Sequence, residues 1–577
     1  MPSRNGAVHV ATTKRVSKGT TYVTHLLRRS IRKGKTVTQE TLGNLSHLPD
    51  HLIEIIKRSL KGETFVPASE AFRITRSLPH GHVEAVLKMV RKLGLETLIA
   101  SQPSQRRDLV TAMIVERVLF PSATLANTRH WLDTTLAEEL DVGDATEDRL
   151  YDAMDWLLER QGAIENKLAG RHLTDGALVL YDVTSSYDAG RTCPLARYGH
   201  DRDGKTGCPI IVYGVLTDAE GRPIAVEVYS GNTGDPTTVP DQVEKLTDRF
   251  GLSRVVLVGD RGMLTQTQID KIKEHPGLGW ISALRSDAIR RLLADGHLVR
   301  KDLEAQRRAE ITSPEFPGER LVACYNPLLA EERRRKRDEL LAATQAELEA
   351  LATSVARRTD PPPTAADVGL RAGKLLGRYK MAKHFALTIG AGSLAWARKE
   401  EAIRQEALLD GIYVVRTSEP AERLTAADGV RSYKRLGLVE QAFRSLKGID
   451  LLVRPIHHRL AARVGAHILI CVLAYYVEWH LRQAWKPLLF DDEELIADRQ
   501  RRDPVAPAQA SASAQRKKRT HRTSAGLEVQ SFGTLLAHLG TRCRNTCVVT
   551  GDPSQATFFQ VTEADTVQAE ALRLIVV

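Results

Sequence analysis

At 577 residues the chain is longer than one hydrophobic core organises, so several domains are expected. Its composition, 42% hydrophobic and 27% charged, is that of a globular protein and excludes broad disorder. A net charge of +11 excludes a predominantly acidic surface and suits either a polyanionic partner or a merely soluble basic exterior.

Residues 1–80 hold 14 Lys and Arg against five acids and read as a basic N-terminal region. Residues 1–20 are polar and expected to be loose; 21–66 carry short basic segments and a helix-like stretch from Leu52 to Leu60. Residues 81–172 read as a helical domain. His82 to Leu93, Gln105 to Leu119, Thr124 to Leu136 and Glu147 to Leu168 place apolar residues at helical spacing. The pattern changes at Asp175. Leu178 to Thr184 reads as a strand, and Ile210 to Thr217 and Pro223 to Tyr229 as a hairpin turning at Asp218-Ala219-Glu220-Gly221. A helical segment over 237–250, a strand from Arg254 to Asp260, a helix from Thr265 to Glu274 and a strand from Trp280 to Leu284 complete a core part over 173–299. This is a mixed sheet with helices on its faces.

Residues 300–410 read as an α+β insertion: a hairpin ending in Leu321 to Tyr325, then a charged helix from Leu328 to Arg358. Leu341, Leu348 and Val355 recur every seven residues for only two heptads, so a solvated helix with one packed face is expected. The core resumes over 411–490 with a strand from Ile412 to Arg416 and a basic helix from Tyr433 to Lys447. The apolar run from Val464 to Val477 is too short to span a bilayer and reads as a buried helix. Residues 491–525, rich in Ala, Ser, Arg and Lys, read as a flexible basic linker, and 526–577 as a small C-terminal segment. Six sparse cysteines, with only Cys543 and Cys547 in a C-x3-C pair, make zinc unexpected and suit a reducing, cytoplasmic setting.

Three carboxylates stand out. Asp182 closes the run Ala177-Leu178-Val179-Leu180-Tyr181-Asp182, and Asp260 closes Val255-Val256-Leu257-Val258-Gly259-Asp260. An acid at the end of a buried strand is costly unless a metal, a cation or hydrogen bonds compensate it. The two strands could lie adjacent and parallel, bringing both acids to one crevice. Each Asp could equally cap a turn or the next helix. Tyr433, Glu440 and Lys447 are spaced seven apart, which keeps them within about 20° of one helical stripe, with Arg444 on the same face. Leu438, Ala442 and Leu446 lie opposite for packing. An ordinary i,i+4 pair explains Glu440 with Arg444, but not their coincidence with two strand-end aspartates.

With these pieces the chain resembles a bacterial insertion-sequence transposase of the DDE class, in the branch with a Tyr-x2-Arg-x3-Glu-x6-Lys signature. The matching stretches are Tyr181 to Ser185, Gly231-Asn232, Gly259 to Met263, Tyr433 to Lys447 and Leu452 to Arg459. One position departs: the signature wants Arg at 436, and this chain has Leu436 with Arg435 beside it, about 100° round the helix. The resemblance implies a ribonuclease-H-like catalytic core. Asp182, Asp260 and Glu440 would be catalytic and would hold two divalent ions, Mg2+ or alternatively Mn2+. Tyr433, Arg435, Arg444 and Lys447 would contact DNA. It also implies cleavage at element ends, strand transfer into target DNA, a homodimer or larger synaptic assembly, and a bacterial nucleoid setting. The basic 1–80 region is the candidate reader of the terminal inverted repeats. Two rivals are a nuclease on the same core that cuts without joining and an inactive DNA-binding derivative. A nucleotide-binding protein lacks support, since neither a Walker A nor a Gly-x-Gly-x-x-Gly sequence follows a strand.

Overall fold

The computed structural model describes residues 5–65, 67, 70–190, 192–550 and 556–576. The chain divides into two compact units, Met1–Ser77 with Arg544–Thr562 and Leu78–Cys543 with Glu563–Val577.

The first unit opens with an antiparallel sheet of β1 (Asn5–Ser17), β2 (Thr20–Lys33) and β3 (Thr36–Asn44), where the sequence suggested loose and short segments. These strands are polar on both faces, so they lack the clean alternation that marks a half-buried strand. Backbone pairing holds them, in register from Ser17 opposite Thr20 to His9 opposite Arg28. The helix Asp50–Ser59 follows and buries Ile53. Strand β4 (Phe72–Pro79) forms a second sheet with the C-terminal hairpin described below.

The second unit is built on one eight-stranded sheet. Its strands are β5 (Ala177–Tyr187), β6 (Ile210–Asp218), β7 (Pro223–Ser230), β8 (Val255–Val258), β9 (Leu278–Ala283), β10 (Arg308–Ile311), β11 (Arg320–Tyr325) and β14 (Ile412–Thr417). The spatial order is β10-β11-β14-β9-β8-β5-β6-β7. Strands β5, β6 and β7 form an antiparallel meander, and β8 and β9 run parallel to β5. The hairpin turn falls where expected, with Gly221 at φ 86°, a conformation that glycine adopts without steric cost. Within the sheet Gly214 is required by packing: a Cβ there would meet the Tyr181 ring at 2.3–2.8 Å.

The expected insertion proves to be two things. Strands β10 and β11 extend the main sheet, because β14 pairs with both β11 and β9. The independent part begins at the helix Pro327–Arg357, continues through the helix Ala365–Tyr379 and ends in the hairpin β12 (Phe385–Gly390) and β13 (Ser393–Arg398). Leu341, Leu348 and Val355 supply its packed stripe against Val368, Ala372 and Leu375.

The helix Ala461–Trp485 is longer than its apolar run and, by length and composition, long and apolar enough to cross a membrane, yet 83% of its most apolar stretch is buried inside the protein. The expected linker is folded. Its helix Ala512–Thr520 buries Lys517, whose ammonium donates to the Lys486 and Asp491 carbonyls and pairs with Glu493 at 2.6 Å. The C-terminal segment is not a separate domain either. Helices Phe532–Gly540 and Thr566–Val576 pack into the large unit, where the Trp485 indole donates to the Ala571 carbonyl at 2.9 Å. Between them β15 (Cys543–Val549) and β16 (Thr557–Val561) form the hairpin that joins β4.

Arg416 on β14 clamps Glu319 just before β11 through two guanidinium bonds of 2.7 and 2.8 Å, with both side chains nearly excluded from solvent. Removing one partner strands the other charge in the interior. Glu319→Ala is therefore expected to cost about 3 kcal/mol, read as a lower denaturation midpoint by tryptophan fluorescence.

Candidate active site

Strand β5 does not end at Asp182. It runs five residues further, to Tyr187, because Asp182 to Tyr187 continue to pair with Val215 to Ile210 of β6. Asp182 is thus a mid-strand acid, half-buried between apolar neighbours. Asp260 lies two residues past the end of β8. Leu180 is the parallel partner of Val258, so Asp182 and Asp260, each two residues further on, stand level on adjacent strands. Neighbouring strands are about 4.8 Å apart.

The Asp260 carboxylate also shapes its turn. Its Oδ1 accepts from the Gly262 and Met263 amides at 2.9 and 2.7 Å, and Ser282 donates to its carbonyl. The turn-capping role that Asp often plays is therefore real here, alongside its level placement. Asp182 Oδ1 accepts from the Val183 amide at 2.8 Å.

The basic helix expected over Tyr433 to Lys447 is two helices, Ala426–Lys434 and Leu436–Lys447, joined at Arg435. Tyr433 and Glu440 therefore sit on different segments. The second segment packs on β5 and β6 through Val439, Ala442, Phe443 and Leu446. The Phe443 ring meets Tyr213 edge-on at 6.1 Å, and Leu438 lies over Gly221. This leaves Glu440 and Arg444 exposed on the outer side, with no ion pair between them among the described residues.

Electrostatics link the acids. Burial first, and then the negative charges of Asp260 and Glu440, push the Asp182 carboxyl up to about 7, against the pull of the Val183 amide and Arg202. The Tyr433 phenol is pushed up to about 12, by burial and then by Asp260, with Asp182 and Glu440 adding to it and Arg261 opposing. Four sequence-predicted residues, Asp182, Asp260, Glu440 and Tyr433, thus share one electrostatic neighbourhood.

The other three fall elsewhere. Lys447 donates to Asp203 Oδ1 at 2.9 Å, and Arg454 pairs with the same oxygen. Asp203 is fully buried, and its Oδ2 accepts from the Tyr187 amide. Arg444 is exposed a turn beyond Glu440. Arg435 points toward the hairpin, 3.5 Å from the Ala219 carbonyl, and lines a cavity with Leu178, near the start of β5. Sequence reasoning missed Arg202 and Asp203. Their signal is the Asp201-Arg202-Asp203 triplet in a glycine-containing loop between two core strands, where Arg202 pairs with Asp235.

A divalent cation suits this donor chemistry: three hard carboxylates, one raised by burial and by its acidic neighbours, and no thiol. Among the described residues, no three His, Cys, Asp or Glu side chains already stand close enough together to hold an ion. The side chains would have to close on it.

Without divalent ions, Asp182 keeps its proton in the folded state up to about pH 7, while the unfolded chain releases it near 3.8. The folded state binds more protons between those values, so stability falls as pH rises through that window and levels off above it. In EDTA, Asp182→Asn is expected to flatten this slope and to raise stability at pH 8 by about 2 kcal/mol, measured by urea titration across pH.

The family model described as "Transposase DDE domain" matches residues 152–477, more than half of the chain and inclusive of all three carboxylates. No curated protein matches. Among solved structures, the cryo-EM structure of a piggyBac transposase synaptic complex with hairpin DNA is 12% identical, over 80% of this chain and 76% of that one. Its TM-score is 0.34, a likeness too weak to add to the assignment.

Proposed function

This chain belongs to the transposase DDE domain family, which acts on DNA with divalent metal ions, and we propose that it is the transposase of a bacterial insertion sequence. The observation that carries this reading is the placement of Asp182 on β5 and Asp260 just past the end of the adjacent parallel strand β8, with Glu440 acting on Asp182 from a helix on the same sheet. The order β7-β6-β5-β8-β9, three antiparallel strands followed by two parallel ones, supports a ribonuclease-H-like core.

In this reading Asp182, Asp260 and Glu440 hold two divalent ions, Mg2+ or Mn2+. When bound, such ions supply the activation of a water and the stabilisation of a leaving oxygen. Water attacks the phosphorus at the element end. The bond from phosphorus to the 3′ oxygen breaks, leaving a 3′-hydroxyl and a 5′-phosphate. The 3′-hydroxyl then attacks a target phosphorus, and the target's own 3′ oxygen departs. Tyr433 stays protonated and available as a hydrogen-bond donor beside the acids. Arg444, exposed and forked, suits a phosphate near the cut. Lys447 is already tied to Asp203, so it positions the loop carrying Arg202 and Asp203 and contributes charge from within that pair. The basic N-terminal region would take the terminal inverted repeats, and paired ends would call for a homodimer or larger synaptic assembly.

The test is cleavage and strand transfer on labelled DNA carrying the element's end, with Mg2+, comparing the wild type with Glu440→Gln. Joined products from the wild type, falling at least about a hundredfold in the variant, are expected. Nicks without joining would make it a nuclease. Equal activity in both proteins would remove Glu440 from the site.

A further inference from the structure

A second charged cluster lies on the same face of the sheet as the carboxylates. A cavity of about 370 Å³ opens beside Leu178, lined by Arg431, Arg435 and Gln500, with Asp428 and Ser432. Leu178 precedes Asp182 by four residues on β5, so both side chains face the same way, roughly 13 Å apart along the strand.

The cluster is strongly cationic. Arg431 and Arg435 come from the helix Ala426–Lys434 and its end, and Arg502 follows the helix Leu495–Arg501, which carries Arg499. The Arg431 guanidinium donates to the Arg502 carbonyl at 3.1 Å, fastening the two segments together. Lys434 donates to the Pro504 carbonyl as a second tie. Asp428 pairs with Arg431 at 2.8 Å. Arg435, Arg499 and Arg502 have no carboxylate within ion-pair distance among the described residues. The Nε atoms of Arg431 and Arg502 are buried without a hydrogen-bond partner. Arg499 is held below its ordinary pKa by burial and then by the positive charges of Arg502 and Arg435. Arg431 and Arg435 line the cavity, while Arg499 and Arg502 stand on the segment fastened beside it; such a cluster, with donors left unsatisfied, matches an oxyanion that supplies several acceptors at once.

We infer that Arg431, Arg435, Arg499 and Arg502 form a phosphate site that takes a backbone phosphate of the bound DNA, one groove away from the phosphate at the carboxylates. The inference depends on DNA being the substrate, as proposed above. Leu178 at the cavity and Asp182 are roughly 13 Å apart along β5, close to the width of the B-DNA major groove, about 12 Å. It also gives Arg435 a role despite its offset from the signature position. The contact would be independent of sequence and would anchor the duplex without touching the reacting atoms.

The experiment uses the full chain carrying Arg499→Gln and Arg502→Gln, a short duplex of arbitrary sequence, and inorganic phosphate as a separate probe. The duplex affinity is measured against salt. Loss of one or two phosphate contacts is expected to make the slope of log K on log salt shallower by about 1–2, with circular dichroism unchanged. Inorganic phosphate should compete with the duplex on the wild type and less on the variant. An unchanged slope in a folded variant overturns the inference. So does inorganic phosphate raising the thermal midpoint of the wild type alone while the duplex slope stays fixed, which would mark a site for small anions. Glu440→Gln, read in the same titration, separates the two proposals: it should bind with the wild-type slope whether or not it cuts.

Discussion

A carboxylate in the middle of a buried strand, level with a second carboxylate on the next strand, is the constraint from which the rest of the architecture follows. Two like charges in one neighbourhood repel once water is partly removed, and Asp260 is among the groups that raise the Asp182 carboxyl. The fold does not neutralise Asp182 with a close cation; Arg202 opposes its rise but pairs with Asp235. Instead the strand pairing on both sides fixes the acid in place, and the helix carrying Glu440 adds a third negative group. A buried acid that its acidic neighbours make harder to ionise is one that stores affinity for a multivalent cation. The absence of a ready-made cluster among the described residues fits the same picture, because converged acids without a counter-ion would be the more costly arrangement.

The surrounding positive charge is distributed accordingly. Lys447 and Arg454 are spent on buried Asp203, so they reinforce the loop that passes between β5 and β6. The cations beside Leu178 stand a few residues down the strand, and Arg444 faces outward. The sheet thus separates a negative centre from flanking positive groups, the pattern expected where a polyanion must be held on either side of a bond that metal ions help to break.

Much of the sheet was legible from sequence because its strands are short apolar runs between turn residues. β6, β7, β8, β9 and β14 fall within a residue or two of where periodicity places them. Three things were not. The end of β5 was placed at Thr184, three residues short, because polar residues follow the apolar run, whereas pairing to β6 carries the strand to Tyr187. The helix around Arg435 was read as continuous because its break is a single residue with near-helical φ and ψ; Gly437, two residues on, was the local signal for it. And membership of β10 and β11 in the main sheet depends on β14, some 90 residues later, a pairing that no local pattern encodes. The two candidate aspartates could be singled out because each leaves a compositional trace, an acid after a run of Val and Leu. Asp203 leaves only a weak one, the Asp201-Arg202-Asp203 triplet, being polar in a polar loop and buried through its tertiary partners.

The first unit closes through a sheet that draws β4 from residues 72–79 and β15 and β16 from residues 543–561. Almost the whole of the large unit is encoded between them. During synthesis, β4 must therefore wait unpaired while more than 460 intervening residues leave the ribosome. Chain fragments that stop between residues 440 and 543 would carry the carboxylates but leave this sheet unfinished, so synthesis through β16 is itself a structural checkpoint on the protein.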